Sequence, residues 1–425
     1  MFVNEAFKSI RCPLYGFIDL TKTETNVLDT PAMQRLARIK QLSHTYLVYP
    51  SAVHTRFEHS IGTLFVAGKI CEALGLPSEQ KQIVRLTALL HDIGQGPFSH
   101  IWEEPMRWIN GDKFTHEDVT QLIVQSDPEV GKALGAHKDE VLRVFEEKDS
   151  LNSDIISSSL DADKIDYLRR DSYHTGVSYG RFDFDRVIHT ICKIPEQDRD
   201  YLGILEKGID ALENYRLARY GMHIQVYEHH ARIIADNMFL KAVKLALAEG
   251  SINKELLKIS SDNFVQNFLQ LDDYSVQHLI LQNTATISKE LMLRIRERKL
   301  LKRALDIPLN KEGIPDAIKR KRMTQLDKKQ TEEIELEIAD ELGINSAYVI
   351  LHLQNVKIKL YERFWEMIEN KEKPIYIKKK DGNPTPLDEE SPFSTSPSQI
   401  NRIYVFCPEE YLEKARPIAK EKLGL

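Results

Sequence analysis

Paired cysteines, long apolar runs and an excess of one charge sign are all missing from this 425-residue sequence. Its four cysteines are far apart, which argues against a disulfide framework and against a cysteine zinc site. No stretch approaches the roughly 18 uninterrupted apolar residues of a membrane span, and the N-terminus lacks the basic-then-apolar order of a signal peptide. The sequence therefore predicts a cytoplasmic protein, in a reducing compartment, with no membrane partner.

The charge balance is also weak, with 58 basic and 64 acidic residues and a net charge of −6. Such a balance excludes a dedicated nucleic-acid coat and an acidic solvating chain. The 42% of hydrophobic residues is an ordinary globular content, sufficient for a large core or two to three domains.

Apolar residues recur every three to four positions through most of the first 350 residues, which predicts a mainly helical protein. Helices are expected near 55–74 and 78–93, and 209–248 is expected to be one long helix or a broken pair. After residue 306 the pattern predicts an acidic helix over 332–342, strands over 348–353 and 402–406, and an exposed loop over 382–398. The C-terminal part is therefore expected to be a small α+β subdomain.

Adjacent His91 and Asp92 end an apolar helix just before Gly94, at a position expected to be buried. A buried carboxylate is costly unless it is paired or coordinates a cation. Taken alone, this pair is more often a core histidine with a capping aspartate.

Further along, Asp163, Lys164, Tyr167 and Asp171 have helical spacing. At about 100° per residue they fall within one polar arc of about 100°. Such an arc is unusual on a helix expected to belong to the core.

His59, the pair His91-Asp92, and Asp163 follow one another in an order similar to the H…HD…D signature of HD-domain metal-dependent phosphohydrolases. Within that group, the sequence resembles the deoxynucleoside triphosphate triphosphohydrolases, which include the sterile-alpha-motif and HD-domain enzyme. The similarity covers about residues 10 to 305. It rests on six segments, namely 29–36 (DTPAMQRL), 39–42 (IKQL), 56–60 (RFEHS), 91–100 (HDIGQGPFSH), 115–117 (THE) and 163–167 (DKIDY).

The resemblance implies a helical HD phosphohydrolase core over 46–305, joined by the segment 1–45 and followed by the α+β subdomain 306–425. It also implies hydrolysis of a deoxynucleoside triphosphate to deoxynucleoside and triphosphate, with a role in nucleotide-pool control. The implied metal ligands are His59, His91, Asp92 and Asp163. Two imidazoles and two carboxylates suit Mn, Mg, Fe, Co, Ni or Zn, and the sequence does not choose among these ions.

The resemblance also assigns roles to other side chains. Arg56 and Lys164 match residues that grip the triphosphate, and His100 matches the catalytic histidine, at a helix start that Ser99 could cap. The remaining candidates for proton transfer are His116, Glu117 and Glu103. The remaining substrate contacts are Gln41 for the 3′-hydroxyl, its neighbour Leu42, Gln95, Tyr167 under the deoxyribose, Asp171, Arg219, His223 and Tyr227.

Two positions depart from the family pattern. Gln95 stands where many members have histidine, and an amide cannot transfer a proton. Ala37 stands where nucleotide-activated members carry an effector-binding arginine, although the residues matching the rest of that site are present as Lys8, Asp29 and Gln34. The resemblance implies a homotetramer with nucleotide effectors between subunits, and Ala37 predicts altered or lost guanine activation.

Two alternative functions stay open at this point. One is an HD-domain phosphohydrolase or phosphodiesterase acting on another nucleotide, which the set of Arg219, His223 and Tyr227 disfavours. The other is a nucleic-acid-binding protein with a degenerate HD site, suggested by Gln95 and by basic runs over 294–303 and 319–322. The intact metal ligands argue against it, and solvated helix faces are the favoured interpretation of the basic runs.

Overall fold

A computed structural model describes residues 6–147, 150–195, 199–282, 286–310, 313–314, 316–358, 375–380, 384–390 and 398–425. Its α-helices are α1 Lys22–Leu28, α2 Pro31–Arg35, α3 Arg56–Ala73, α4 Ser78–Leu90, α5 Glu103–Asn110, α6 His116–Ser126, α7 Pro128–Leu134, α8 Lys138–Glu146, α9 Leu151–Ile156, α10 Ala162–Thr175, α11 Phe184–Thr190, α12 Ile209–Met222, α13 His230–Glu249, α14 Phe264–Phe268, α15 Asp273–Gln282, α16 Ile287–Arg296, α17 Ala317–Thr324, α18 Lys328–Leu342, α19 Leu387–Glu390 and α20 Leu412–Leu423. The predicted mainly helical class is confirmed.

The strands belong to three small sheets. They are β1 Lys8–Cys12, β2 Gly16–Leu20, β3 Ile191–Pro195, β4 Asp200–Leu205, β5 Lys302–Pro308, β6 Ile350–Ile358, β7 Tyr376–Lys378, β8 Pro384–Pro386 and β9 Ser398–Cys407. Strands β1 and β2 form an antiparallel hairpin, the second sheet has the order β3-β4-β7-β8, and the third is the antiparallel sheet β5-β9-β6. Only β4 and β7 pair in parallel among these strands.

Two compact units divide the described chain. One draws on Met1–Tyr227, Asn253–Val276 and Tyr361–Thr395, and the other on Glu228–Ile252, Gln277–Leu360 and Ser396–Leu425. In the second unit, the sheet β5-β9-β6 packs against α18 and α20. Its apolar core includes Leu305, Leu351, Val405, Ile338 and Ala419. The predicted boundaries at residues 45 and 305 stay predictions. Within the described ranges, no helix has the length and apolar character needed to cross a membrane.

Several predicted elements are confirmed with small shifts of their ends. Helices α3 and α4 match the ranges 55–74 and 78–93, and Gly75 in the turn between them has a φ of +63°. The segment 209–248 is a broken pair, since a π-helical turn over His223–Tyr227 separates α12 from α13. Helix α18 ends at Gly343 as predicted, with that glycine in the left-handed conformation.

Other parts of the chain were not anticipated. Neither the hairpin β1-β2 nor the short helix α11 was predicted. Of the predicted loop over 382–398, residues 382–383 and 391–397 lie outside the described residues, while 387–390 form the short helix α19.

A glycine lets α3 and α10 approach each other closely near the predicted metal ligands His59 and Asp163. Gly62 lies one turn after His59, and a Cβ there would overlap the carboxylate of Asp166 and the guanidinium of Arg170, both on α10. Because only glycine leaves that space, the two helices meet at this point. Their contact sets His59 opposite the start of α10.

A second glycine does the same for the segment after α4. A Cβ on Gly94 would overlap the backbone of α6 at Thr120 and at the carbonyl of His116. The Gly94 N–H donates to the Thr120 hydroxyl over 3.1 Å, and that hydroxyl donates to the His91 carbonyl over 3.1 Å. The end of α4, with His91 and Asp92, is therefore fixed against the start of α6.

Candidate metal centre and active site

Side chains from three segments bring possible metal donors close together: one atom each from His59, His91 and Asp163 lie within 4.8 Å of one another, and Asp92 lies next to both histidines. His59 Nε2 lies 2.9 Å from Asp163 Oδ1 and 3.6 Å from Asp92 Oδ2. His91 Nε2 lies 3.4 Å from the same Asp92 oxygen and 3.6 Å from the same Asp163 oxygen. Donors that share one metal ion at about 2.0–2.2 Å lie roughly 3 Å apart. The group therefore has the size and the donor types of a divalent-cation site, and it contains all four predicted ligands.

The hydrogen bonding of His91 tests whether a cation fits there. Its Nδ1 lies 2.8 Å from the Ala88 carbonyl oxygen and must donate to it, so in the neutral ring Nε2 carries a lone pair. That Nε2 is buried and has no hydrogen-bond partner within the described structure, although it points at two carboxylate oxygens. A cation between them satisfies all three atoms, so the residues present fit a metal ion.

The electrostatics of the group favour positive charge. Burial opposes protonation of His59, but the hydrogen bonds that its ring donates to Asp163 and Asp166 outweigh this effect and raise the pKa of His59 to about 10. Burial works against ionised Asp92, yet the charges of Arg56 and His91 hold the pKa of this carboxyl well below its usual range. Burial also opposes ionised Asp163, but the hydrogen bond from His59 holds the pKa of this carboxyl well below its usual range. Asp92 and Asp163 are therefore both ionised at neutral pH and available to a metal.

Asp166, which sequence reasoning missed, is bonded to the candidate metal ligand His59. His59 Nδ1 donates to Asp166 Oδ2 over 2.8 Å, and Arg170 binds both oxygens of the same carboxylate, each over 2.9 Å. Such carboxylate–histidine pairs fix the ring so that the other nitrogen faces the metal. The available signal was an acidic residue on the otherwise apolar face of α10, three positions after Asp163.

Replacing Asp166 by asparagine is expected to weaken metal affinity by about 10- to 100-fold, since the ring of His59 loses its charged partner. The measurement is a titration of metal-free protein with Mn²⁺ or Fe²⁺. Asp139→Asn on α8, an exposed position, is the matched control and should leave the affinity unchanged. An unaltered affinity in folded Asp166→Asn protein would exclude this role.

Arg56 contacts the candidate metal group through Asp92. Its Nη1 donates to Asp92 Oδ2 over 2.6 Å, and its Nε donates to the Ser99 hydroxyl over 2.8 Å. The prediction that Ser99 caps a helix is wrong, because its hydroxyl makes no cap bond and instead donates to the Lys40 carbonyl over 2.7 Å. The turn before His100 thus contacts Arg56 through Ser99.

His100, Glu103 and His116 form a second polar group beside the metal ligands. The Nδ1 atoms of both histidines lie 2.9 Å from the same oxygen, Glu103 Oε1, and Arg107 donates to Oε2 over 2.6 Å. His116 Nε2 lies 3.8 Å from Asp92 Oδ1, whereas the His100 side chain is 63% exposed. Glu117, the fourth member of the predicted proton-transfer set, is exposed in the first turn of α6.

The polar arc of α10 faces the π-helical turn after α12. The rings of Tyr167 and Tyr227 are 6.1 Å apart, and those of His223 and Tyr227 are 5.0 Å apart. Arg219 lies close enough for its positive charge to oppose the rise in the pKa of both Lys164 and Tyr167. The structure thus brings the predicted set of Arg219, His223 and Tyr227 together with the polar arc that contains Asp163.

Lys164 and Asp171, both members of the polar arc, are bonded to side chains outside it. Lys164 Nζ donates to Asp161 over 2.8 Å. Burial opposes its charged form, but the carboxylates of Asp161 and Asp163 raise the pKa of Lys164 above its usual value. Asp171 is buried. Its Oδ2 accepts from the Tyr227 hydroxyl over 2.7 Å, and its Oδ1 lies 2.8 Å from His54 Nε2. His54 was missed because its partner is 117 positions away.

Two glutamines line the same region. Gln95 is fully buried and donates to Asp92 Oδ1 over 3.2 Å, so it orients a predicted metal ligand. The side-chain oxygens of Gln41 and Gln95 are buried and lack a partner within the described structure. Gln41 is followed by the half-buried Leu42. Contact of these three residues with a substrate stays a prediction.

The predicted effector residues lie elsewhere in the first unit. Lys8 and Asp29 form an ion pair at 3.7 Å with both side chains about half exposed. Gln34 is exposed and donates to the Leu28 carbonyl over 2.9 Å. Effector binding by these residues stays a prediction.

Several side chains of the basic runs form ion pairs in the second unit. Arg294 lies 3.0 Å from Glu290, Lys299 lies 2.7 Å from Glu297, and Arg303 lies 2.8 Å from Asp306. The run 319–322 lies on the short helix α17, where Arg320 bonds to the Ile314 carbonyl. These contacts are typical of solvated helix and strand surfaces.

Comparisons with known proteins agree with this geometry. An HD-domain model matches residues 56–171, which contain all four candidate metal ligands, and a model of the HD-associated region matches residues 182–425. The crystal structure of a phosphohydrolase from Bacteroides thetaiotaomicron superposes with a TM-score of 0.76 at 26% identity, covering 94% of this chain and 99% of that one.

Among curated sequences, an uncharacterized protein of Methanocaldococcus jannaschii is 32% identical over 416 residues, which is 96% of this chain and 81% of that protein. The deoxynucleoside triphosphate triphosphohydrolase SAMHD1 of Homo sapiens is 27% identical over 70% of this chain and 55% of its own length. The HD signature, the candidate metal group and these matches together show that the chain belongs to the HD-domain phosphohydrolase family and carries the HD-associated region.

Proposed function

We propose that this protein hydrolyses deoxynucleoside triphosphates to deoxynucleosides and inorganic triphosphate. The observation that carries the proposal is the adjacency of the candidate metal group to the polar and aromatic surface formed by Lys164, Tyr167, Arg219, His223 and Tyr227. That surface offers cations for phosphates and ring faces for a sugar. The similarity to SAMHD1 supports the same substrate class.

Four residues would hold the metal ion, namely His59, His91, Asp92 and Asp163. When bound, a divalent ion supplies Lewis-acid polarisation of a phosphate oxygen and of water. The protein's own cations do the remaining charge stabilisation. Arg56 and Lys164 would bind the anionic oxygens, and their fixed positions stabilise the charge that develops at phosphorus.

The two histidines that bond to Glu103, His100 and His116, would transfer the protons. The ionised carboxylate of Glu103 accepts from both Nδ1 atoms, so the Nε2 of each histidine lies on the side of its ring away from Glu103. Attack by water would form a new P–O bond at the α-phosphorus and break the bond to the 5′ oxygen. That oxygen takes the Nε2 proton from the imidazolium form of His100, and a proton released by the attacking water restores that form. Gln95, buried against Asp92, does not transfer a proton.

The two rival functions predict different behaviour. A phosphohydrolase or phosphodiesterase for another nucleotide needs only the HD site and does not require the surface around Tyr167 and Tyr227. A nucleic-acid-binding protein would need basic patches with free cations, whereas Arg294, Lys299 and Arg303 lie in ion pairs.

The test is chromatography of the products from each of the four deoxynucleoside triphosphates with Mn²⁺ or Mg²⁺, with and without added nucleotides. The proposal expects a deoxynucleoside from at least one of them. Nucleoside monophosphates, ribonucleotides and cyclic nucleotides run in parallel distinguish the rival hydrolases. Turnover of only those compounds would overturn the proposed substrate.

Assembly and regulation follow from the same proposal. We expect a homotetramer, with modest activation or activation by a nucleotide other than a guanine nucleotide, because Ala37 lacks the guanidinium that grips a guanine edge bidentately. Light scattering gives the mass, and activity with and without GTP gives the regulation. A monomer at micromolar concentration, or strict dependence on GTP, would contradict this expectation. In the latter case the first residue to mutate is Arg38, which here bonds to Asp272.

A further inference from the structure

The turn between Gln95 and His100 holds two successive residues in left-handed backbone. Phe98 has a φ of 59° and Ser99 a φ of 61°, although neither is glycine. Non-glycine residues adopt this conformation at an energetic cost, and such strain concentrates at functional sites. Both side chains are nearly inaccessible to solvent. The surrounding contacts must therefore hold the turn.

Asp273, at the start of α15, is the main contact that holds it. Its buried carboxylate accepts from the Phe98 N–H over 2.6 Å and from the Lys40 N–H over 3.0 Å. The Phe98 ring stacks on His44 with centroids 4.6 Å apart. One carboxylate thus ties the turn to the segment around Lys40, which precedes α3.

The consequence of this conformation is the position of the Ser99 hydroxyl. It donates to the Lys40 carbonyl over 2.7 Å, so its lone pairs face Arg56 Nε, which donates to it over 2.8 Å. Arg56 Nη1 is committed to Asp92. Nη2 of Arg56 has no acceptor in the described part of the chain. With two of its three nitrogens fixed, the guanidinium has one orientation.

We propose that Ser99 is a positioning residue, whose hydroxyl orients the Arg56 guanidinium so that Nη1 neutralises Asp92 and Nη2 is presented to a phosphate oxygen of the substrate. The inference rests on the proposed function for the identity of that substrate. It explains why a strained serine occupies this turn, where a glycine would fit the backbone more easily.

The variants are chosen to separate backbone strain from the hydroxyl. Ser99→Gly removes the hydroxyl and relieves the strain, whereas Ser99→Ala removes the hydroxyl and keeps the strain. Both should lower kcat/KM by about 10- to 100-fold, the effect of losing a hydrogen bond to a charged group. Metal content should stay at the wild-type value. Ser126→Ala, which removes a hydroxyl bonded to a carbonyl at the exposed end of α6, is the control.

A double-mutant cycle with Arg56→Gln distinguishes this role from a merely structural one, because only a residue that acts through Arg56 gives non-additive losses in kcat/KM. If Ser99 acts through Arg56, adding Ser99→Gly to Arg56→Gln should change kcat/KM by less than about twofold. Fully additive losses would overturn the inference, and so would normal turnover by Ser99→Gly.

Binding of inorganic tripolyphosphate to metal-free protein, followed by calorimetry, keeps the inference separate from the proposed function. Ser99→Gly is expected to raise the Kd by about 5- to 20-fold through the misplaced guanidinium. An unchanged Kd overturns the role of Ser99 whether or not the wild-type protein turns over a nucleotide. Wild-type protein that binds tripolyphosphate in this Ser99-dependent way but hydrolyses no deoxynucleoside triphosphate would overturn only the proposed function.

Discussion

Asp163→Ala protein is expected to lose its bound metal and about 10³-fold or more of its activity while it keeps its helical fold. Asp163 Oδ1 lies 2.9 Å from His59 Nε2 and 3.6 Å from His91 Nε2. Its removal leaves one carboxylate for the cation, and a metal site supplies several kcal/mol of transition-state stabilisation, with each tenfold in rate corresponding to about 1.4 kcal/mol.

The fold should survive because Asp163 is a partly exposed residue in the first turn of α10. That helix is anchored by buried residues such as Ile165 and Leu168, and its N-cap is Asp161. Metal analysis and circular dichroism are the measurements, with Asp139→Ala on α8 as the control. If Asp163→Ala retains one equivalent of metal and turns over normally, the proposed ligand set is wrong.

His100→Ala should lower kcat by about 10² to 10⁴-fold, the usual range for a general acid or base. Its side chain is 63% exposed, so removing it leaves the core intact. Glu103 keeps its bonds to His116 and Arg107, so the neighbouring geometry should also remain. Metal content is expected to stay normal, which distinguishes this variant from Asp163→Ala.

Two further variants calibrate that result. His137→Ala, in the turn before α8, should be as active as wild type. Gln95→His should retain or raise activity, because Gln95 here only donates a hydrogen bond to Asp92. A near-normal rate for His100→Ala would remove His100 from the mechanism and direct attention to His116, whose Nε2 lies nearer to Asp92.

The sequence was sufficient for features that depend on local pattern. Helix α3 and the polar arc of α10 both follow from a period of about 3.6 residues, and the structure has both of them. The order of His59, His91, Asp92 and Asp163 matched a known signature, which gave the candidate ligands before their distances were known.

Residues that act through distant partners could not be predicted in this way. Asp166 meets His59 across 107 positions, and Asp273 meets Phe98 across 175 positions. Ser99 was misread because its local context is that of a helix cap, whereas its real partners, Lys40 and Arg56, are distant in sequence. Such contacts depend on tertiary packing, which no local pattern encodes.

The π-helical turn over His223–Tyr227 is a further example. A period of 3.6 residues correctly groups Arg219, His223 and Tyr227 on one face, but it does not predict the wider turn that separates α12 from α13. Such turns are rare and frequently occur at functional sites. Here it carries His223 and Tyr227, whose rings are 5.0 Å apart.

The central claim is that these residues act on the α-phosphorus of a deoxynucleoside triphosphate. Hydrolysis in ¹⁸O-labelled water, with mass analysis of both products, tests it most directly. The account predicts an unlabelled deoxynucleoside and inorganic tripolyphosphate that carries one labelled oxygen. Orthophosphate or pyrophosphate as the first product, or label in the deoxynucleoside, would contradict it.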